Sequence, residues 1–219
     1  MKVAVMANGE WDAAWGRSEL TENHIEMLIC ADGGGNKAIA SGRIPDVLIG
    51  DLDSITKENL EKCIAAKTTV KQYPCEKNET DLELAVAYAD TYLDYQGCSQ
   101  DEIVLYAAGG KRLDHLMGNI SIMIAYAEKG RRLKMKDPRS DAWVMLQGKE
   151  NIKGSIGQQL SIVALSDDAR VSAKGLYYEL DMLKLAHNSP RGISNVFRDE
   201  DISIEIHEGK VLIYVQIPC

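Results

Sequence analysis

Two aspartates one residue apart, Asp51 and Asp53, stand where a short apolar run, Val47 to Ile49, passes through Gly50 into a polar stretch ending at Ser54. Alternate residues of an extended segment point to one side, so both carboxylates can be aimed at one place. Paired oxygen anions suit a hard cation such as Mg²⁺. Thr80-Asp81 brings another carboxylate just ahead of a segment with helical spacing. Three acids without compensating bases repel one another unless a cation joins them, which makes Asp51, Asp53 and Asp81 candidate metal ligands and candidate catalytic groups. The competing reading is an N-cap at Asp53 or Ser54 for a helix starting near Thr56-Lys57-Glu58. That reading leaves Asp51 and Asp81 unexplained.

Two glycine-bearing stretches add groups that could meet a phosphate. Asp32-Gly33-Gly34-Gly35-Asn36 precedes a helical segment and reads either as a turn or as a phosphate cradle. It matches neither G-x-x-x-x-G-K-[ST] nor G-x-G-x-x-G, so neither standard phosphate motif applies. In Gly109-Gly110-Lys111-Arg112-Leu113-Asp114-His115, the guanidinium of Arg112 could grip a phosphate with two parallel hydrogen bonds. Asp114 could hold that arginine or a ligand hydroxyl; the alternative is a surface ion pair ahead of the next helix. His115 reads as a helix-start residue more readily than as a general base.

These groups need elements to position them. Apolar, β-rich runs occur at Val3 to Ala7, Met27 to Cys30, Val47 to Ile49, Thr69 to Tyr73 and Ile103 to Ala107, and read as strands buried on both faces. Between them lie helical patterns, Leu82, Ala85, Val86 and Ala89, or Leu116, Ile120, Met123, Ile124 and Ala127. Strand and helix in alternation predict an α/β domain with a mostly parallel sheet over residues 1–137. In such sheets ligands bind beyond the carboxyl ends of the strands, where the polar stretches fall. Past Lys136-Asp137-Pro138 the pattern changes to Ala142 to Leu146, Gln159 to Leu165, Arg170 to Ser172, Gly175 to Glu179, Asp201 to Ile206 and Val211 to Ile217. No convincing helix interrupts these runs, which predicts an all-β sandwich over residues 138–219.

With 45% hydrophobic residues among 219 the chain should fold into a globular protein, and its formal net charge of −8 argues against a nucleic-acid partner. An anionic ligand would have to be met by bound cations, backbone N–H groups and a few placed basic residues. The five cysteines, Cys30, Cys63, Cys75, Cys98 and Cys219, form no C-x-x-C pair and read as reduced thiols of a cytoplasmic protein. No run reaches the ~20 apolar residues of a membrane span, and the opening Met1-Lys2-Val3-Ala4-Val5-Met6 meets Asn8-Gly9 too soon for a signal peptide.

Taken in order, D-G-G-x-N at Asp32 to Asn36, P-D-x-x-x-G-D-x-D-S at Pro45 to Ser54, T-D at Thr80-Asp81 and G-G-x-R-x-D-H at Gly109 to His115 resemble the thiamine pyrophosphokinase family. The β-rich half continues the likeness, with G-x-x-Y-x-L at Gly175 to Leu180 and G-x-S-N at Gly192 to Asn195. The resemblance implies an α/β domain binding Mg-ATP, a β-sandwich contributing to a thiamine site, and a homodimer with active sites between subunits. Carried over position by position, it implies Asp51, Asp53 and Asp81 at the metal and triphosphate, and Arg112 and Asp114 completing a catalytic set. Asp32, Gly33, Asn36, Thr80, Arg112 and His115 fall to ATP, and Ser194 and Asn195 to thiamine. The implied reaction passes a pyrophosphoryl group from ATP to the thiamine hydroxyl and releases AMP. One departure stands out: Asn78 follows Lys77 where members of the family commonly carry Asp. Asp51-Leu52-Asp53 also mimics the D-x-D of haloacid dehalogenase-type phosphohydrolases, with Asp167-Asp168 as a late acidic pair. Against that reading, Asp51 follows two earlier strand-helix units rather than the first strand. A non-catalytic module binding ATP or thiamine is the other alternative, kept open by Asn78.

Overall fold

The computed structural model describes residues 1–110 and 112–218; Lys111 and Cys219, quoted above, lie outside them. The chain divides into two compact units, Met1–Pro138 and Arg139–Cys219.

In the first unit the strands β1 (Val3–Met6), β2 (Met27–Ala31), β3 (Val47–Gly50), β4 (Thr69–Gln72), β5 (Ile103–Tyr106) and β6 (Leu133–Asp137) pair in parallel in the order β6-β5-β1-β2-β3-β4. The order turns back at β1, which pairs with both β2 and β5, and this reversal opens a crevice at the carboxyl ends of the strands. The helices are α1 (Ala13–Glu22), α2 (Gly34–Ala40), α3 (Lys57–Ala65), α4 (Asp81–Tyr95) and α5 (Leu113–Glu128). Leu20, Ala38 and Cys63 of the first three helices share one core with Ala4, Met6, Leu28, Cys30, Leu48 and Tyr106.

Helix α4 buries Leu82, Ala85, Val86, Ala89 and Leu93, a stripe at helical spacing that lies across β1, β2 and β3. Each fully buried Leu or Val contributes about 1.5–3 kcal/mol, and the two alanines let the helix come close to the sheet. Its far end is clamped by the buried Arg131, which donates to Asp90 at 2.6 Å, to Asp94 at 2.7 Å and to the Ser99 carbonyl at 2.7 Å. Truncating Arg131 would leave the Cys98, Ser99 and Asp101 carbonyls and the Asp90 carboxylate without their shared donor. The start of α4, which carries Asp81, is thereby fixed relative to the strand ends.

One expectation for this unit needs correction, and one strand lies outside the expected runs. Thr69–Gln72 is a half-exposed edge strand, because β4 ends the sheet. Leu133–Asp137, outside the five expected runs, is a sixth strand in which Leu133 and Met135 are buried between partly exposed lysines. The helical spacing of Leu116, Ile120, Met123, Ile124 and Ala127 falls in α5, where only Met123 and Tyr126 are buried and Leu113 and Met117 are 68% and 62% exposed.

The second unit is antiparallel. The strands β7 (Ser140–Met145), β8 (Gly148–Lys153), β9 (Gln159–Ala164), β10 (Ala169–Lys174), β11 (Leu180–Leu185), β12 (Asn195–Val196), β13 (Asp201–Glu208) and β14 (Val211–Gln216) form the orders β12-β9-β14-β7 and β11-β10-β13-β8. Inward residues of both layers meet in one core, among them Trp143, Ile162 and Ile213 from the first and Val171, Ile204 and Ile206 from the second. Gly175 to Glu179, expected as a strand, is a loop joined to the sheet by the isolated Leu176–Phe197 bridge and by hydrogen bonds of Tyr177 and Tyr178 with β12, whereas β8, β11 and the two-residue β12 lie outside the expected runs. The longer two bury little, β8 only Ile152 and β11 only Leu185, so their apolar alternation is faint.

Candidate active site

The polar stretches after β1, β2, β3 and β5, together with the start of α4, surround a cavity of about 1140 Å³ in the first unit. Asp32, Asp51, Asp53, Lys77, Thr80, Asp81, Arg112, Asp114 and His115 line it. The backbone is held in costly conformations at three of these strand ends: Asp32, Leu52 and Ala107 have φ of 41°, 68° and 50°. Residues in that region cost of the order of 1–3 kcal/mol each and persist where surrounding contacts enforce them.

Carboxylate oxygens of Asp32, Asp51 and Asp81 lie within 4.8 Å of one another. Asp32 is buried and accepts the backbone N–H of Ser54 at 3.1 Å and of Ile55 at 3.3 Å, which ties the end of β2 to the loop after β3. Asn36 braces the same loop from α2, donating to the Ser54 carbonyl at 2.9 Å and accepting the Thr56 N–H at 3.1 Å. Gly50 makes the convergence possible. With φ of +149°, an added Cβ there would lie 2.9 Å from Asp32 Cβ and 3.1 Å from Asp81 Cγ.

The electrostatics follow from this crowding. Burial pushes the Asp81 carboxyl above its ordinary range, with the Asp51 and Asp32 charges adding and the Lys77 ammonium opposing. The Cys75 thiol, hydrogen-bonded to Asp51, and the Asp53 backbone N–H hold the Asp51 carboxyl below its ordinary range. Asp53 shares a second grouping with Asp51 and Cys75, and accepts the Ser54 hydroxyl at 2.8 Å. A hard divalent cation fits the first grouping on its donors: three carboxylates, with Asp81 Oδ1 buried and met only by the Lys77 ammonium at 3.1 Å. The thiol in the second grouping is a softer donor.

The remaining sequence candidates separate by position. Neither Asp53 nor Ser54 caps α3; Thr56 does, accepting the Asn59 N–H at 3.3 Å. Thr80 caps α4, accepting the Glu83 N–H at 3.2 Å. Arg112 and Asp114 are exposed and joined by two hydrogen bonds of 2.8 and 2.5 Å, so Arg112 holds the Asp114 carboxyl far below its ordinary range. Gly33 and Asn36 stand behind the cavity wall, and Gly33 packs on Asn8, where a Cβ would meet the amide at 2.3 Å. Asn78 is exposed and also outside the lining.

Two lysines lining the cavity received no role from the sequence. Lys37 makes no ion pair among the described residues, and burial lowers its pKa. Lys77 is paired with Asp81. Position after a helix start and a position in a loop give no periodic signal, so neither lysine stood out.

In the second unit, Ser194 is exposed with φ of 59°, and Asn195 is buried. The Asn195 amide accepts the Tyr178 N–H at 3.0 Å and donates to the Tyr178 carbonyl at 2.7 Å. It thereby presents an exposed edge-to-face pair of aromatic rings, Tyr177 and Tyr178, 5.0 Å apart.

The fold and the carboxylate cluster define a two-domain protein of the α/β-plus-sandwich kind, with acids gathered at the strand ends of its parallel sheet. Residues 19–135 match the model of the thiamin pyrophosphokinase catalytic domain, and residues 149–211 match that of the thiamin pyrophosphokinase vitamin B1 binding domain. The chain belongs to the thiamin pyrophosphokinase family. It is 28% identical to the thiamine pyrophosphokinase of Bacillus subtilis over 177 residues, covering 80% of this chain and 79% of that one. It is 26% identical to thiamine pyrophosphokinase 1 of Arabidopsis thaliana over 204 residues, covering 83% and 75%. In fold it is similar to the crystal structure of the Bacillus subtilis enzyme, with a TM-score of 0.85 at 23% identity and full coverage of both chains. The enzyme from Candida albicans gives 0.83 at 16% identity, covering 99% of this chain and 90% of that one.

The phosphohydrolase alternative is not favoured. Its late acidic pair would be Asp167-Asp168, which lies in the second unit in the turn between β9 and β10, where Asp167 pairs with His187.

Proposed function

We propose that this enzyme transfers the terminal pyrophosphoryl group of ATP to the hydroxyl of thiamine, giving thiamine diphosphate and AMP. The observation that carries this reading is the convergence of Asp32, Asp51 and Asp81 at the strand ends, in a cavity that Arg112 also lines, in a chain matching both domains of the family. The thiamine oxygen forms a bond to the β-phosphorus, the bond from that phosphorus to the bridging α,β-oxygen breaks, and AMP departs with the electron pair. The hydroxyl proton leaves to a carboxylate or to water. A Mg²⁺ ion held by Asp51 and Asp81, with Asp32 or Asp53 beside them, would neutralise charge developing on the transferred oxygens. The protein's share is positioning and charge: Arg112 and Lys37 offer cations to the phosphates, and Thr80 fixes the helix that carries Asp81.

Ser194, with the Tyr177–Tyr178 edge that Asn195 holds, is the thiamine side of this reading. Those faces and the exposed Leu113 and Met117 of α5 support a homodimer in which the sandwich of one copy completes the α/β site of the other. The free thiols of Cys30, Cys63, Cys75 and Cys98 suit the cytoplasm, and no helix among the described residues is long and apolar enough to cross a membrane. The deciding experiment measures AMP release from ATP with and without thiamine. AMP release that depends on thiamine is expected; release of inorganic phosphate without thiamine would refute the transfer.

A further inference from the structure

Lys77 occupies an unusual place for a lysine. It lies in the loop ahead of α4, where the positive end of the helix dipole disfavours a cation. Its side chain is only 11% exposed, and its Nζ stands 3.1 Å from Asp81 Oδ1 and donates to the Pro74 carbonyl at 3.2 Å. Apart from this ion pair, Asp81 Oδ1 has no polar partner although the atom is buried. That same residue belongs to the three-carboxylate grouping. The ammonium thus stands at an oxygen that a divalent cation would take, and it lines the cavity in which a triphosphate would lie. A lysine is a compact charge on a flexible four-carbon stem, able to change partner without moving backbone.

We propose that Lys77 is a resident counter-ion: its ammonium neutralises Asp81 in the metal-free protein, is displaced when a divalent cation binds, and then turns to the nucleotide phosphates. The proposal rests on the reading of Asp81 as a metal ligand. Displacement has a direct consequence, because the cation must compete with a charge already in place and nucleotide gives the released ammonium a new anion. Lys77 therefore makes free metal bind weakly and makes metal and nucleotide bind in concert.

The test titrates nucleotide-free protein with Mn²⁺ alone, following free Mn²⁺ by electron paramagnetic resonance. Lys77→Gln is expected to bind Mn²⁺ about tenfold more tightly than wild type, while its turnover falls about tenfold or more. Lys77→Arg, which keeps the charge, is expected to bind Mn²⁺ as wild type does. A purely structural lysine would not move metal affinity and turnover in opposite directions. Lys77→Gln binding Mn²⁺ no more tightly would overturn the proposal. In wild type, where no variant need fold, Mn²⁺ alone should raise acetylation of Lys77 by acetic anhydride, read by mass spectrometry. Adding α,β-methylene-ATP with Mn²⁺ should bring it below the metal-free level; acetylation indifferent to both would likewise refute the displacement. Asp81→Asn separates the two readings: if it leaves Mn²⁺ affinity unchanged, the metal site itself is misassigned. If it weakens Mn²⁺ while Lys77→Gln changes nothing, only the role of Lys77 fails.

Discussion

Replacing Gly50 by alanine tests whether the carboxylates converge because the backbone lets them. The new Cβ would stand 2.9 Å from Asp32 Cβ and 3.1 Å from Asp81 Cγ, against about 3.5–4.0 Å for an ordinary carbon contact. Both acids would therefore have to retreat by roughly 0.5–1 Å, and a misplacement of about 1 Å costs on the order of a hundredfold in rate. The φ of +149° adds strain of about 1–3 kcal/mol. Gly42→Ala is the control, since φ there is +84° but nothing lies within 4 Å of the added Cβ. Gly50→Ala should thus lose roughly a hundredfold in thiamine-dependent AMP formation and weaken Mn²⁺ binding. Gly42→Ala should lose stability with turnover kept, as urea unfolding and the same assay would report. A folded Gly50→Ala protein within threefold of wild-type turnover would show that the crowding does not set the site.

Asp51→Asn, Asp53→Asn and Asp81→Asn should each lower turnover by roughly a hundredfold, the scale of losing one preorganised electrostatic group, while circular dichroism remains native. Because burial raises the Asp81 carboxyl above its unfolded value, its ionised form opposes folding at neutral pH, and that penalty vanishes as pH falls through the raised value. Metal-free Asp81→Asn should therefore melt above wild type at neutral pH and converge on it towards about pH 4; divergence on acidification would refute the assignment. Asn78→Ala should keep turnover within about tenfold of wild type, because an exposed amide outside the cavity is a poor ligand beside three carboxylates. If it abolished activity without altering the Mg²⁺ dependence, Asn78 would be a substrate contact. Asn195→Ala should cost about 1–3 kcal/mol in urea unfolding and raise the KM for thiamine more than that for ATP, since it frees the Tyr178 backbone pair. Unchanged stability would contradict the bracing role of that amide.

Strand existence in the first unit was legible because a strand covered on both faces must be a short unbroken apolar run. Val3 to Met6, Met27 to Ala31 and Ile103 to Tyr106 announce themselves in that way. So do the acids and glycines that follow them, since a strand end facing solvent and ligand has no reason to remain apolar. Gly148–Lys153 and Leu180–Leu185 bury one side chain each, Ile152 and Leu185, and so carry no period of two to read, whereas Leu133–Asp137 does alternate but holds only two apolar residues between charged ones. The sequence alone could set Asp51 beside Asp53 by spacing, but it could not join Asp32 to Asp51 and Asp81. That grouping depends on β2 lying next to β3, on α4 starting over their ends, and on a glycine leaving room between them. Nor could spacing reveal that Asp53 accepts from Ser54 or that Lys77 rests on Asp81. Proximity between residues far apart in the chain is set by sheet order and packing, which no local pattern encodes, and it decided which of the predicted carboxylates share one site.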